Sequence, residues 1–155
     1  MSGGNPSFRF VHAIAVAMLV LALLPAAAAA SPGSRLLSGI NQARQANGLP
    51  ALRYSPNLSA SAGRYSRYMV AHNYFGHLSR IHASWSRWSW LGENLAMYPG
   101  WGMHVGSIVR SWLRSPPHRQ VMLSARYRFA GAGYARGRMG GRRATTVTLQ
   151  VARAR

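Results

Sequence analysis

Six histidines and one carboxylate, Glu93, are the side chains of this 155-residue chain best suited to proton transfer or metal binding. The sequence contains no Asp, no Lys and no Cys. A lone carboxylate excludes the paired acids of glycoside hydrolysis and of aspartic-type dyads. It also leaves two-metal phosphoryl chemistry, which leans on several carboxylates, without ligands. The missing lysine removes the phosphate-loop lysine and the Schiff base, and the missing cysteine removes thiol nucleophiles, zinc thiolates and disulfides. Chemistry must come from His, Glu93, Ser, Tyr, Arg and backbone groups. None of the histidines stands at HExxH-type spacing, and no G-x-S-x-G nucleophile turn occurs. Local spacing alone therefore nominates no site.

The elements that must position these residues are readable from period and punctuation. Ser34 is a candidate cap for a helix carrying Leu36, Leu37, Ile40 and Ala43 on one face, stopped by Gly48. Leu49–Leu52 reads as an extended connector. Ser55-Pro56 starts a second helix, hydroxyl as cap and proline in the first turn. Leu58, Ala62, Tyr65 and Met69 recur at spacings of three and four, carrying that helix to about His72. Residues 73–102, rich in Trp, Ser and Gly, read mostly as loop with Gly92-Glu93-Asn94-Leu95 embedded. Val105, Ile108, Val109 and Trp112 mark a third helix, and Ser115-Pro116 opens a short fourth one through His118 and Met122. The period then changes from helical to alternating. Phe129–Tyr134 and Thr145–Val151 read as an antiparallel hairpin around the glycine-rich 137–141 turn.

At the N-terminus, Arg9 precedes the apolar run Ala13–Leu24, Pro25 and an alanine run ending at Ala30. This has the layout of a secretory signal, with cleavage expected after Ala30 and an uncleaved anchor as the alternative. Residues 1–30 are thus read as a leader and 31–155 as one domain. The full chain carries a net charge of +18; losing Arg9 with the leader leaves 18 arginines against Glu93, a net of +17. Such a field attracts polyanions, and export points to anionic envelope polymers or lipids rather than to specific nucleic acid. A solvated, compositionally biased surface is the plainer explanation. The arginines are scattered, and only Arg136–Arg143 approaches a cluster.

Five segments in order then carry a resemblance: Leu36–Met69, Tyr74-Phe-Gly-His77, Gly92-Glu-Asn-Leu-Ala96, Ser111–Leu123 and Phe129–Ala135. Together they resemble the bacterial, secreted branch of the CAP superfamily, the cysteine-rich secretory, antigen-five and pathogenesis-related proteins, also called SCP domains. The resemblance implies an α+β fold, a three-layer α-β-α sandwich with a small antiparallel sheet. It also implies a central cleft, which in animal members holds two histidines and two glutamates and in some of them a divalent metal. Residue by residue, the first histidine matches His77, the first glutamate Glu93 and the second histidine His118. The second glutamate falls on Ser115, so three of the four are kept.

On that basis His77, Glu93 and His118 form a candidate divalent-metal set, zinc being the ion suited to two imidazoles and a carboxylate. The competing reading makes Glu93 a structural acceptor for loop backbone groups or an arginine. A Ser115–His118–Glu93 arrangement for nucleophilic catalysis is a further alternative. His72 reads as a helix cap or a solvent-facing residue, while His82 and His104 have no assigned partner. Trp85, Trp88 and Trp90 read as a stacking platform or as packing, and Trp112 as core. Three function classes remain. The first is a secreted, monomeric module whose cleft binds a small apolar, lipid or peptide-like ligand, which the resemblance allows. The second is a metal-dependent hydrolase using His77, Glu93 and His118, and the third an envelope protein acting through its arginine surface.

Overall fold

The computed structural model describes residues 31–81 and 87–155; the leader, His82 and Trp85 lie outside the described residues. Four helices and four strands follow in the order α1 (Pro32–Ala46), β1 (Arg53–Tyr54), α2 (Pro56–Ala71), β2 (Trp88–Pro99), α3 (Val105–Arg114), α4 (Pro116–Leu123), β3 (Phe129–Met139) and β4 (Arg142–Ala154). The sheet order is β1-β3-β4-β2. β4 pairs antiparallel with both β2 and β3, while the two residues of β1 add a parallel edge to β3. α2 covers one face, and α1, α3 and α4 cover the other, which gives the expected α-β-α sandwich.

Alternation along the strands assigns side chains to the two layers. Val147, Leu149 and Val151 of β4 join Leu36, Leu37 and Ile40 of α1, Ile108, Val109 and Trp112 of α3, and Met122 of α4 in the main core. The intervening residues Thr146, Thr148 and Gln150 are equally buried but face α2. Two of them meet Ser66 of that helix. Thr148 Oγ1 lies 2.9 Å from Ser66 Oγ, and Thr146 Oγ1 donates to the Ser66 carbonyl at 3.1 Å. Smaller apolar clusters, Tyr65–Met69–Leu95 and Leu58–Trp88–Ala152, flank this polar layer.

α2 sits unusually close to β3 because β3 presents glycines to it. A Cβ at Gly131 would lie 2.1 Å from the Ser59 backbone nitrogen, and one at Gly133 would lie 2.2 Å from that of Gly63. Backbone cannot rotate away as a side-chain tip can, so both positions require glycine.

Three sequence readings need correction. Residues 88–99 are a strand, not a loop. Its Trp, Ser and Gly content masks the period, yet eleven of its residues pair with β4, with an irregularity between Trp88 and Trp90. The cap of α1 is Ser31, whose Oγ accepts from the Ser34 N–H at 3.1 Å, because the helix begins at Pro32. Nor are all arginines at the surface. Arg44 is fully buried and clamps the end of α1 to that of α4, Nη1 donating to the carbonyls of Met122 (2.7 Å) and Ser124 (3.0 Å) and Nε to that of Pro50 (3.0 Å).

The glycine contact is directly testable. Gly133→Ala is expected to cost about 3 kcal/mol, at the upper end for overpacking because the clash is with backbone. Gly48→Ala, at φ +68° with open space around it, is expected to cost only the left-handed backbone strain of about 1–2 kcal/mol. Urea denaturation of both variants measures the difference, and equal costs would refute the close-contact explanation.

Candidate functional site

The strand β2 is an edge strand, and its Gly92-Glu93-Asn94 segment serves three neighbours at once. Gly92 leaves room for Tyr127, whose hydroxyl would lie 2.6 Å from a Cβ there. Glu93 points to the α2 side and Asn94 to the side of α4, as alternation requires. The Glu93 side chain is only 5% exposed, and both of its oxygens are used. Oε1 accepts from His77 Nδ1 at 2.9 Å, and Oε2 accepts from Gln150 Nε2 at 3.0 Å across the strand pair. Asn94 is fully buried and donates through Nδ2 to the His118 carbonyl at 2.9 Å. The edge carbonyl of Leu95 accepts from Trp112 Nε1 at 2.9 Å, which ties α3 to the same strand.

His77 reaches Glu93 from the loop that follows α2. That loop is held by the Tyr65 hydroxyl, which donates to the Gly76 carbonyl, and by the Tyr74 hydroxyl, which donates to the His77 carbonyl at 3.0 Å. The His77 side chain is 53% exposed, so its inner nitrogen meets the buried acid while the rest of the ring faces solvent. Tyr65, between that loop and the sheet, has its pKa pushed up to about 12 by burial and then by the Glu93 charge.

His118 lies in the first turn of α4, half-buried, with its ring 6.4 Å from that of Trp112. Its Nδ1 is 2.8 Å from Ser115 Oγ, so the Ser115 hydroxyl serves the imidazole and makes no side-chain cap to α4. Burial lowers the His118 pKa, and the nearby His77 lowers it further. The two imidazoles thus feel one another, but only His77 has a carboxylate partner.

These contacts describe the residues of the ligand set implied by the resemblance. Among the described residues no group of three or more His, Cys, Asp and Glu could hold a metal ion. The one carboxylate is engaged at both oxygens, by an imidazole and by an amide. Each imidazole is turned with its Nδ1 to a protein partner, His77 to Glu93 and His118 to Ser115. The Ser115–His118–Glu93 triad is not assembled, because Glu93 pairs with the other histidine. The structural reading of Glu93 named backbone or arginine donors; the donors are instead His77 and Gln150.

The remaining candidates are placed as follows. His72 caps α2, with Nδ1 2.9 Å from the Tyr68 carbonyl and its ring stacked 4.0 Å from Tyr68. His104 is the exposed N-cap residue of α3 without a side-chain cap bond. Trp88 is buried against Phe129, whereas Trp90 is half-exposed under Arg126 at 4.6 Å. Trp112 is core. Sequence reasoning missed Gln150 and Asn94. A signal for Gln150 was present, since Thr146, Thr148 and Gln150 alternate with three aliphatic residues.

Beside the Glu93–His77 pair, an apolar groove of about 530 Å³ is lined by Ser61, Arg64, Tyr65, Tyr68 and Leu78. Tyr65 belongs to both groove and site.

The family model described as CAP, the cysteine-rich secretory protein family, matches residues 37–151. Among solved structures, the fold is similar to venom allergen-like protein 4 of Schistosoma mansoni, at TM-score 0.64 and 12% identity, covering 81% of this chain and 90% of that one. It is similar to an outer surface protein of Borrelia burgdorferi at TM-score 0.59 and 19% identity, covering 77% and 91%. It is also similar to an extracellular SCP-domain protein of Bacillus anthracis at TM-score 0.60 and 22% identity, covering 79% of this chain but only 40% of that longer protein. No curated protein matches the chain significantly.

Two expectations follow from the site. Glu93→Gln keeps the shape but loses the charge-assisted bond from His77 and is expected to destabilise the fold by about 1–3 kcal/mol in urea denaturation. A variant as stable as wild type would show that the buried acid is dispensable. Because the folded-state pKa of His118 is lowered, the unfolded chain binds its proton more readily. Stability contributed by neutral His118 is therefore present above about pH 6.5 and is lost as pH falls through that value towards the folded pKa. His118→Gln should flatten that part of a stability–pH profile, and an unchanged profile would contradict the assignment.

Proposed function

Because the chain belongs to the cysteine-rich secretory protein (CAP) family, we propose that it works outside the cell as a binding module, taking a small, partly apolar ligand in the cleft beside Glu93. The observation that carries this reading is the sharing of Tyr65. On one side its ring lines the groove with Tyr68 and Leu78; on the other its hydroxyl holds the loop that presents His77. A volume of about 530 Å³ lies within the ~300–1,000 Å³ of small-ligand sites. Aromatic walls with a few convergent polar groups are the usual composition of such sites.

The polar end is built to recognise rather than to react. Each imidazole spends Nδ1 inward, on Glu93 or on Ser115, which sets the ring orientation. Among the described residues neither Nε2 has a hydrogen-bond partner, so both are available to a ligand's polar head. A fatty-acid-like or peptide-like molecule satisfies both ends, apolar body along Tyr65 and Tyr68, head at the histidines. The apolar run with its alanine-rich end, Ala13–Ala30, supports export, as do the relatives described as extracellular or outer-surface proteins.

Anilinonaphthalene sulfonate, an apolar anion, is a suitable probe. Its fluorescence should rise on the native wild-type protein, and Leu78→Glu, which puts a charge in the groove, should abolish the rise. His77→Ala should weaken it without destroying it. A probe response unaffected by Leu78→Glu would place ligand binding elsewhere and defeat the proposal.

A further inference from the structure

The far end of the sheet from Glu93 combines arginines with exposed apolar side chains in a way the cleft does not explain. β3 and β4 are joined by a two-residue turn, Gly140-Gly141, with φ of +55° and +76°. Positive φ at both central residues is what a tight type I′ hairpin needs. The tip is held rather than loose, for the Gly140 N–H donates to Asn73 Oδ1 at 2.6 Å, just past the end of α2. Around it Arg136, Arg138, Arg142 and Arg143 are all exposed.

Alternation splits this end into two aspects. Met97, Pro99, Met139 and Ala144 point to the α2 side, where α2 has already ended, and share a shallow groove of about 190 Å³ with Arg142, Arg143 and Tyr98. On the other side Trp101 is 51% exposed, and the Arg143 guanidinium lies 4.4 Å from its ring centroid. Met97 is 46% exposed as well. Trp101 and Met97 thus stand exposed at the same end of the sheet, one on each of its two aspects. No acid offsets the arginines. Glu93 lies six residues away along β2, about 20 Å at 3.3 Å per residue, and is engaged by His77 and Gln150.

We propose that the β3–β4 hairpin end is a docking surface for an anionic lipid bilayer, with Trp101 and Met97 entering the interface while Arg136, Arg138, Arg142 and Arg143 contact anionic headgroups. Tryptophan settles at the level of the headgroups, where its amphipathic ring has both an apolar and a wet side. Arginine buries its stem against apolar surface while its guanidinium reaches phosphate. Clustered arginines next to a bilayer gain from its negative surface potential, and each contributes. Charge alone would suit any soluble polyanion equally; the apolar residues between the charges are what favour a bilayer. This surface is separate from the cleft, so the two proposals stand or fall independently.

Tryptophan quenching by bromine-labelled lipid tests it on the full chain. The apolar run Ala13–Leu24 contains no tryptophan, so anchoring through that run is silent in this measurement. With vesicles of phosphatidylcholine plus phosphatidylglycerol the wild-type signal should be quenched, and with phosphatidylcholine alone it should be quenched far less. Trp101→Phe should lose most of the quenching. Replacing the four arginines with Gln should lose it as well, as should about 1 M salt, where the Debye length is about 3 Å. Absence of quenching on anionic vesicles, or equal quenching in Trp101→Phe, overturns the proposal. If Met97→Ser with Trp101→Ser leaves vesicle binding unchanged and soluble polyphosphate displaces both proteins alike, the hairpin is a polyanion site and the bilayer reading is wrong.

Discussion

A helix whose backbone rests on the glycines of a strand sets the geometry of everything above it. With Gly131 and Gly133 beneath Ser59 and Gly63, α2 comes nearer to β3 than side chains would permit. At that separation there is no room for two interleaved layers of large aliphatics over the middle of the sheet. Short polar residues fill the space, and Ser66, Thr146 and Thr148 satisfy one another there. Such a layer depends largely on pairing, since an unmet buried donor or acceptor costs about as much as a hydrogen bond brings, and among the described residues Gln150 Oε1 is the buried atom of this layer left without a partner. Gln150 extends the layer one residue pair further and delivers an amide N–H to Glu93. The candidate site is the place where the polar layer reaches the sheet edge.

Edge placement explains how one short segment unites elements from both layers. β2 exposes its outer side, and Trp112 from α3 takes up one of the carbonyls left over there. Because successive residues point to opposite faces, Glu93 meets the loop after α2 while Asn94 meets α4. Arg44, buried through α1, fixes the last turn of α4 by its carbonyls, and so fixes the helix whose first turn carries His118. The separations of 16 and 25 residues among His77, Glu93 and His118 are bridged by this scaffold and by no local motif.

What could be read beforehand divides along that same line. Helices with one apolar stripe and a Ser-Pro start declared themselves, as did the hairpin, whose period is two and whose turn is Gly-Gly. The strand β2 did not, because Trp, Gly, Glu and Asn in an edge position obey the needs of three neighbours rather than a simple alternation. His77, Glu93, Ser115 and His118 were legible only through the ordered likeness to a family. Their actual partners were not legible at all. That Glu93 would bind a glutamine 57 residues away depends on strand register, and register is set by the whole sheet. Arg44 was hidden for a comparable reason, since nothing in a run of arginines distinguishes the one whose donors will find carbonyls.

The substitution at the family's fourth cleft position changes the electrostatics of half the site. Where the resemblance implies a second glutamate in animal members, this chain has Ser115, a neutral hydroxyl 2.8 Å from His118 Nδ1. A carboxylate there would favour a protonated imidazole and would help hold a cation. A hydroxyl does neither, and burial together with His77 pushes His118 the other way, towards the neutral form. His77 alone faces a negative charge, and that charge is already shared with Gln150. The cleft therefore presents two imidazoles of unlike setting against an aromatic wall, one beside an anion and one beside an alcohol. In a chain of +18 with a single acid, that acid is spent on orienting one ring and on pairing with Gln150, and the second ring is oriented by a neutral hydroxyl.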